Sequence, residues 1–314
     1  MKILSLVFLF FVQAIAEFIT PSAILKTDGL ISDMVVREGK IYASTDTGVV
    51  NVFDLASRRK LSSISLPSVT SGSGKIFLPK IYSVDHFAGA TVMVTESGES
   101  SFRNVYIWRE NKLVMLIGKT SGLLIKKVRF VDANHLIFGL SGDAIILMDL
   151  DKRKSLYEVQ AGGGVFGDMA LSPKRSLLAV GDESGEIVQI ETRSGKVLKT
   201  LSGINLDAIN RLAYQNNTII SGGHDRRVGV YKAHGSYFIE TNFFVYAVGL
   251  SPSASIGVYT DGDENELQIF ELETQKKIGR LKGGETLYDT LIFLDEHTLI
   301  GSGEENKIYY WRIP

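Results

Sequence analysis

The sequence predicts an all-β ring of seven like units, and three observations carry that prediction. An apolar residue followed by a charged one closes an alternating run seven times: Phe53-Asp54, Trp108-Arg109, Met148-Asp149, Ile190-Glu191, Tyr231-Lys232, Phe270-Glu271 and Trp311-Arg312. The charged members are spaced by 55, 40, 42, 41, 39 and 41 residues. The runs themselves have a period of two, as in Val228-Gly229-Val230-Tyr231 and Leu267-Gln268-Ile269-Phe270, which is the periodicity of strand side chains. The apolar heptad spacing of a helix is missing from residue 17 onward. Units of about 40 residues, each with three to four short strands, are the sequence mark of a β-propeller blade.

In chain order, residues 1–16 read as an export signal. Lys2 precedes an apolar run over residues 3–12, broken only by Ser5, and Ala14 and Ala16 are small residues where a signal peptidase inspects the chain. Cleavage after Ala16 is expected, leaving residues 17–314 as one propeller domain. The run is shorter than the roughly 20 residues that span a bilayer, so no stable membrane anchor is expected after cleavage. Residues 18–26 are extended and apolar and lie ahead of the first unit, whereas the last unit stops at Pro314 after its third strand. This N-terminal segment is expected to supply the missing outer strand and close the ring. The long first spacing implies an insertion, placed in residues 62–74 and around residues 96–104, both rich in Ser and Gly. Turn signals recur between runs: Ser172-Pro173 and Ser251-Pro252 after one strand, Asp46-Thr47-Gly48, Ser141-Gly142-Asp143 and Asp182-Glu183-Ser184-Gly185 before another.

The string SGGHDRRVGVYK from Ser221 resembles a WD40 repeat, with its small residues, Asp-containing turn, alternating strand and charged ending. ALSPKRSLLAVGDESGEIVQIE from Ala170, GLSPSASIGVYTDGDENELQIFE from Gly249 and IGSGEENKIYYWRI from Ile300 keep the same order of elements. The resemblance covers residues 29–314 and implies a seven-bladed WD40-like β-propeller. No unit carries the Gly-His pair that the family often places before its innermost strand, and two of the seven endings keep tryptophan. In general character the chain also resembles the WD-repeat accessory proteins of bacterial periplasmic nitrate reductase systems. That resemblance implies a periplasmic scaffold that binds a partner protein, with nitrate reductase subunits as the partner, and that assists maturation or electron delivery without a redox centre of its own.

Composition narrows the chemistry. The net charge is −1 and cysteine is absent, which excludes disulfides, thiolate nucleophiles, iron–sulfur ligation, cysteine-ligated zinc and covalently attached c-type haem. The near-neutral charge and the isolated basic pair Arg226-Arg227 give no nucleic-acid footprint. His86, His135, His224, His234 and His297 are dispersed and lack metal-site spacing. The Asp261-to-Glu266 run alternates oxygen ligands as calcium loops do, yet has Leu272 where a bidentate Glu belongs, and reads as an acidic turn. Gly162-Gly163-Gly164 lacks the Lys-Ser/Thr pair of a phosphate cradle and reads as a connection between blades. No metal and no cofactor are expected.

Two functional readings remain. In the first, a scaffold binds its partner through exposed aromatics and arginines on loops: Phe166, Phe243, Phe244, Tyr246 and Tyr288 at blade crossings, with Arg226 and Arg227 in a nearby turn. Core packing between blades would account for each aromatic as well. In the alternative, a small-molecule enzyme, lactonase-like or another hydrolase, uses charges that converge on a central channel. Aligning the innermost strands puts Asp33, Lys127, Asp168 and Arg211 at comparable positions, where pairing between neighbouring blades would explain them equally.

Overall fold

The computed structural model describes residues 18–313 apart from residues 100 and 263. The expected export signal and its cleavage point before Glu17 lie outside the described residues, as does Asp263 of the acidic turn. Seven four-stranded antiparallel sheets form a seven-bladed β-propeller. Blades 1 to 6 occupy 31–65, 81–117, 125–160, 166–201, 209–240 and 248–282; blade 7 takes three strands from 288–312 and its outer strand, Ala23–Lys26, from the other end of the chain. Innermost strands touch their neighbours in order, and that of blade 7 touches that of blade 1, completing the ring. Among the described residues no helix is long and apolar enough to cross a membrane.

Burial explains the sequence pattern. The second and third strands of each blade lie between two neighbouring blades, so both of their faces are covered: Leu267, Gln268, Ile269 and Phe270 are all buried, as are Val228, Val230 and Tyr231. The alternation seen in sequence therefore separates two buried faces rather than core from solvent. A polar residue there needs internal partners, and Gln268 Nε2 donates to the carbonyls of Gly279 at 2.7 Å and Ile269 at 2.9 Å. Apolar clusters fill the wedges between blades; that between blades 7 and 1 joins Ile300, Ile308 and Tyr310 to Met34, Ile41 and Phe53.

The closing segment does more than the sequence reading expects. Ala23–Lys26 pairs antiparallel with Lys307–Arg312, with Ala23 opposite Tyr310. Upstream, Ile19 bridges Leu281 in parallel, donating its N–H to the Arg280 carbonyl at 2.9 Å and accepting from the Lys282 N–H at 3.2 Å. Residues 18–20 thus run along the outer strand of blade 6 before the chain crosses to blade 7.

The insertion differs in its boundary. Ser62 to Ser65 belong to the outer strand Lys60–Ser65 of blade 1, and the added residues form a small hairpin of Val69–Thr70 with Ile76–Phe77. An outer strand with one covered face has the composition of a loop; in Lys60–Ser65 only Ile64 is buried. The second expected site, around 96–104, falls between the strands Ala90–Glu96 and Arg103–Arg109 of blade 2, and Gly98 lies against the Thr70 backbone of the first.

Antiparallel pairing sorts the loops. Connections between blades and the turns between second and third strands share the face where innermost strands begin, here called the upper face. The remaining turns form the lower face.

Candidate functional site

The channel is built by a repeated irregularity. Six of the seven innermost strands carry a bulge at one place: between Ile31 and Asp33, Ile81 and Ser83, Ile125 and Lys127, Phe166 and Asp168, Ile209 and Arg211, and Tyr288 and Thr290. A bulge bends its strand and re-aims the next side chain. Asp33, Lys127, Asp168 and Arg211 consequently share one register and line one central cavity of about 210 Å³, together with Arg37 and Arg129. The signal in sequence is a large apolar residue two positions before a polar one at each strand start.

All of these charges but Arg211 are paired across blades. Lys127 of blade 3 forms an ion pair with Asp168 of blade 4, and Arg129 of blade 3 reaches Asp33 of blade 1, passing Ser83 Oγ of blade 2 at 2.9 Å. Burial alone would raise the Asp33 carboxyl, but the positive charges of Arg129 and Lys127 hold it down at about 2. Burial lowers the Lys127 ammonium and Asp168 only partly restores it. The carboxylates also fix the backbone of the next blade: Asp33 accepts the Val84 N–H, Asp85 that of Phe130 and Asp168 that of Leu212, each at 2.9 Å. Asp85, which the sequence reading missed, takes Arg37 Nε at 2.9 Å as well.

Two channel groups are less committed. Arg211 Nε and Asp289 Oδ1 are buried atoms without a hydrogen-bond partner. Burial pushes the Asp289 carboxyl up to about 6 against the opposing pull of Arg211.

On the upper face, Phe243, Phe244 and Tyr246 do come together. Their ring centroids stand 5.4 to 6.4 Å apart, and His224 joins them at 5.1 Å from Phe244. The Thr241 N–H donates to the Arg226 carbonyl at 2.9 Å, tying the Arg226 turn to this connection. Arg227 is engaged differently: half-buried, it stacks 4.1 Å from the Phe238 centroid and donates to the Ile204 carbonyl at 3.0 Å. Phe166 and Tyr288 do not reach the surface. Each begins an innermost strand and is buried, Phe166 over Gly139 and Tyr288 edge-on to Tyr309 and Trp311.

A wider feature escaped the sequence reading. Six of the seven blade connections expose a large apolar side chain on the upper face: Leu30, Leu78, Leu124, Val165, Leu206 and Phe244. The other exposed large apolar side chains among the described residues lie on the hairpin at Ile76 or on outer strands, and none lies on a lower-face turn. The available signal was an apolar residue immediately before the buried start of an innermost strand, as in Leu30-Ile31, Leu124-Ile125 and Val165-Phe166. The acidic turn behaves as a turn: Asp261 faces Lys277 at 3.8 Å, Glu264 faces Lys282 at 3.5 Å, and Glu266 pairs with Arg280.

Compared with known proteins, the chain matches no family model and no curated protein.

Proposed function

We propose that the protein is a scaffold that captures a partner protein on its upper face. The observation that carries this reading is the unequal distribution of exposed apolar side chains: among the described residues, the upper-face connections present one on six of seven blades, and the lower-face turns none. Exposed apolar side chains gathered on one face of a rigid frame are what recognition uses. The aromatic group of His224, Phe243, Phe244 and Tyr246, with Arg226 beside it, supplies the side-chain types that dominate interface energies.

The export signal read at residues 1–16 and the general resemblance to accessory proteins of periplasmic nitrate reductase support a periplasmic site of action, with that reductase as the candidate partner. The test is co-purification from periplasm with wild type and with Phe244→Ala, Leu206→Ser and Arg226→Ala. Capture should weaken at least tenfold in the double variant Phe244→Ala/Leu206→Ser while melting is unchanged. Unchanged capture would sink the upper-face assignment. Mass spectrometry of the exported protein should find Glu17 at its N-terminus, and an intact Met1 would remove the signal.

One observation favours the second reading, a channel hydrolase: Asp289, whose carboxyl burial raises to about 6 against the pull of Arg211, adjoins Thr290 of the cavity wall. Turnover by the purified protein, abolished by Asp289→Asn or Arg211→Met without loss of folding, would promote that reading over the scaffold.

A further inference from the structure

The channel holds two cavities that share one layer of charged side chains. Asp33, Lys127, Asp168 and Arg211 line the central cavity of about 210 Å³ and also a second cavity of about 160 Å³, whose remaining wall includes Ser32, Tyr82 and Lys126. Those three residues stand just before the shared register in their strands, and innermost strands begin at the upper face. The second cavity is therefore the upper mouth of the channel, and the charged layer lies beneath it. Lys126 is exposed in that mouth and forms no ion pair with any described residue.

The carboxylates of this layer are already engaged. Asp168 Oδ1 meets Lys127, and its Oδ2 accepts the Leu212 N–H at 2.9 Å. Asp33 Oδ2 accepts from Arg129 Nη1 and the Val84 N–H, and its Oδ1 accepts from Arg129 Nη2 and the Met34 N–H. Of the four cations lining the central cavity, Lys127, Arg129 and Arg37 thus each have a carboxylate, the last in Asp85. Arg211 has none. Among the described residues its guanidinium makes no ion pair and no hydrogen bond, and its Nε is enclosed without an acceptor. Burial opposes its charge, yet the carboxylates of Asp168 and Asp289 keep it positive. Asp289 is no closer partner: burial favours its protonated form, and no ion pair joins it to Arg211 among the described residues. A guanidinium carries five donors, and enclosed donors need acceptors.

We propose that Arg211 receives a small carboxylate anion in the central channel, admitted through the upper mouth past Lys126. One unmatched positive charge calls for one negative charge, and the planar fork of a guanidinium matches the two oxygens of a carboxylate. A spherical ion would leave most of that fork unused, and a phosphate dianion would bring one charge too many. Both cavities are smaller than the roughly 300 Å³ at which drug-sized sites begin, which limits the ligand to a few heavy atoms. Thr290 of blade 7 borders the same cavity and offers a hydroxyl there. This assignment needs neither partner capture nor turnover.

The full chain is melted in sodium acetate and in sodium chloride of equal ionic strength at neutral pH, and acetate binding is read by saturation transfer to its methyl protons. Acetate should raise the melting temperature by about 2 °C over chloride at saturation. Arg211→Gln should abolish both the rise and the transfer, and Arg211→Lys, which keeps the charge but loses the fork, should weaken binding about tenfold. Lys174→Gln, on a lower-face turn, should leave binding unchanged. If Arg211→Gln fails to fold, Arg211→Lys decides alone, and undiminished binding in that variant overturns the site. A rise or a transfer signal that persists in folded Arg211→Gln overturns it as well. Silence of the wild type toward acetate would show that Asp289 alone balances Arg211, and overturns it too. Inorganic phosphate that binds more tightly than acetate overturns the carboxylate assignment.

Discussion

Arg129 grips Asp33 from two blades away with both ends of its guanidinium, Nη1 to Oδ2 at 3.0 Å and Nη2 to Oδ1 at 3.2 Å. The same guanidinium donates to the Val84 carbonyl at 3.0 Å, so one side chain holds three consecutive blades at the channel wall.

Removing that arginine leaves a buried carboxylate alone. Arg129→Met should destabilise the protein by about 3 kcal/mol or more, and a second substitution, Asp33→Leu, should recover part of the loss. Chemical denaturation of the two variants measures it, and additive losses would mean the pair is not coupled.

Acid should act through Asp33. Its folded carboxyl lies near 2, below the ordinary carboxylate range, so its contribution is complete above about pH 4 and is lost as pH falls toward 2. For a group this buried the contribution is about 2 kcal/mol. Asp33→Asn should therefore flatten the stability profile between pH 4 and 2, and a parallel profile would contradict the assignment.

Asp289 has the opposite sign. Its folded carboxyl is raised to about 6, so the folded state favours the protonated form and stability declines as pH rises from about 4 through 6. Asp289→Asn should remove that decline. Melting temperatures from pH 4 to 7.5 test this, and an unaltered slope would assign the decline to another group.

Gly167 is the bulge residue of blade 4, and a Cβ there would overlap the Ile209 carbonyl oxygen of blade 5. Backbone stands on both sides of that contact and cannot move aside cheaply. Gly167→Ala should cost about 2 kcal/mol or more, whereas Gly163→Ala, facing open space, should cost far less. Equal melting of the two would refute a tight blade 4–5 contact.

The ring was legible in the sequence because the third strand of each blade ends with the same apolar–charged pair, and burial on both faces keeps that strand apolar in every unit. The closing strand was legible for the same reason, as a third strand left without an outer neighbour. Lys60–Ser65 was not, since a strand covered on one side can be as polar as a loop. Asp33, Lys127, Asp168 and Arg211 could be aligned from inner-strand starts, but Arg129 and Asp85 lie two residues beyond the aligned register. Their pairing crosses 96 residues in one case and 48 in the other, and no local pattern reports such a contact. Phe166 and Tyr288 look like Phe243 and Phe244 in sequence; only the placement of strand start against connection separates buried rings from exposed ones.

The outer strand Ala23–Lys26 meets its partner across 287 positions of sequence, from Ala23 to Tyr310, while every other blade is assembled from hairpins close together in the chain. Local hairpins form quickly and distant pairings slowly. Blades 1 to 6 can each become complete as their own residues become available, but the seventh must wait for residues 23–26 to meet residues 307–310. Ring closure is therefore expected to come last, when residues 23–26 add to blade 7 and turn an arc of blades into a ring. A permuted chain, with Ile313 joined to Phe18 by a flexible linker and opened at the turn over residues 233–235 of blade 5, should move that late event to another blade and leave the finished ring unchanged.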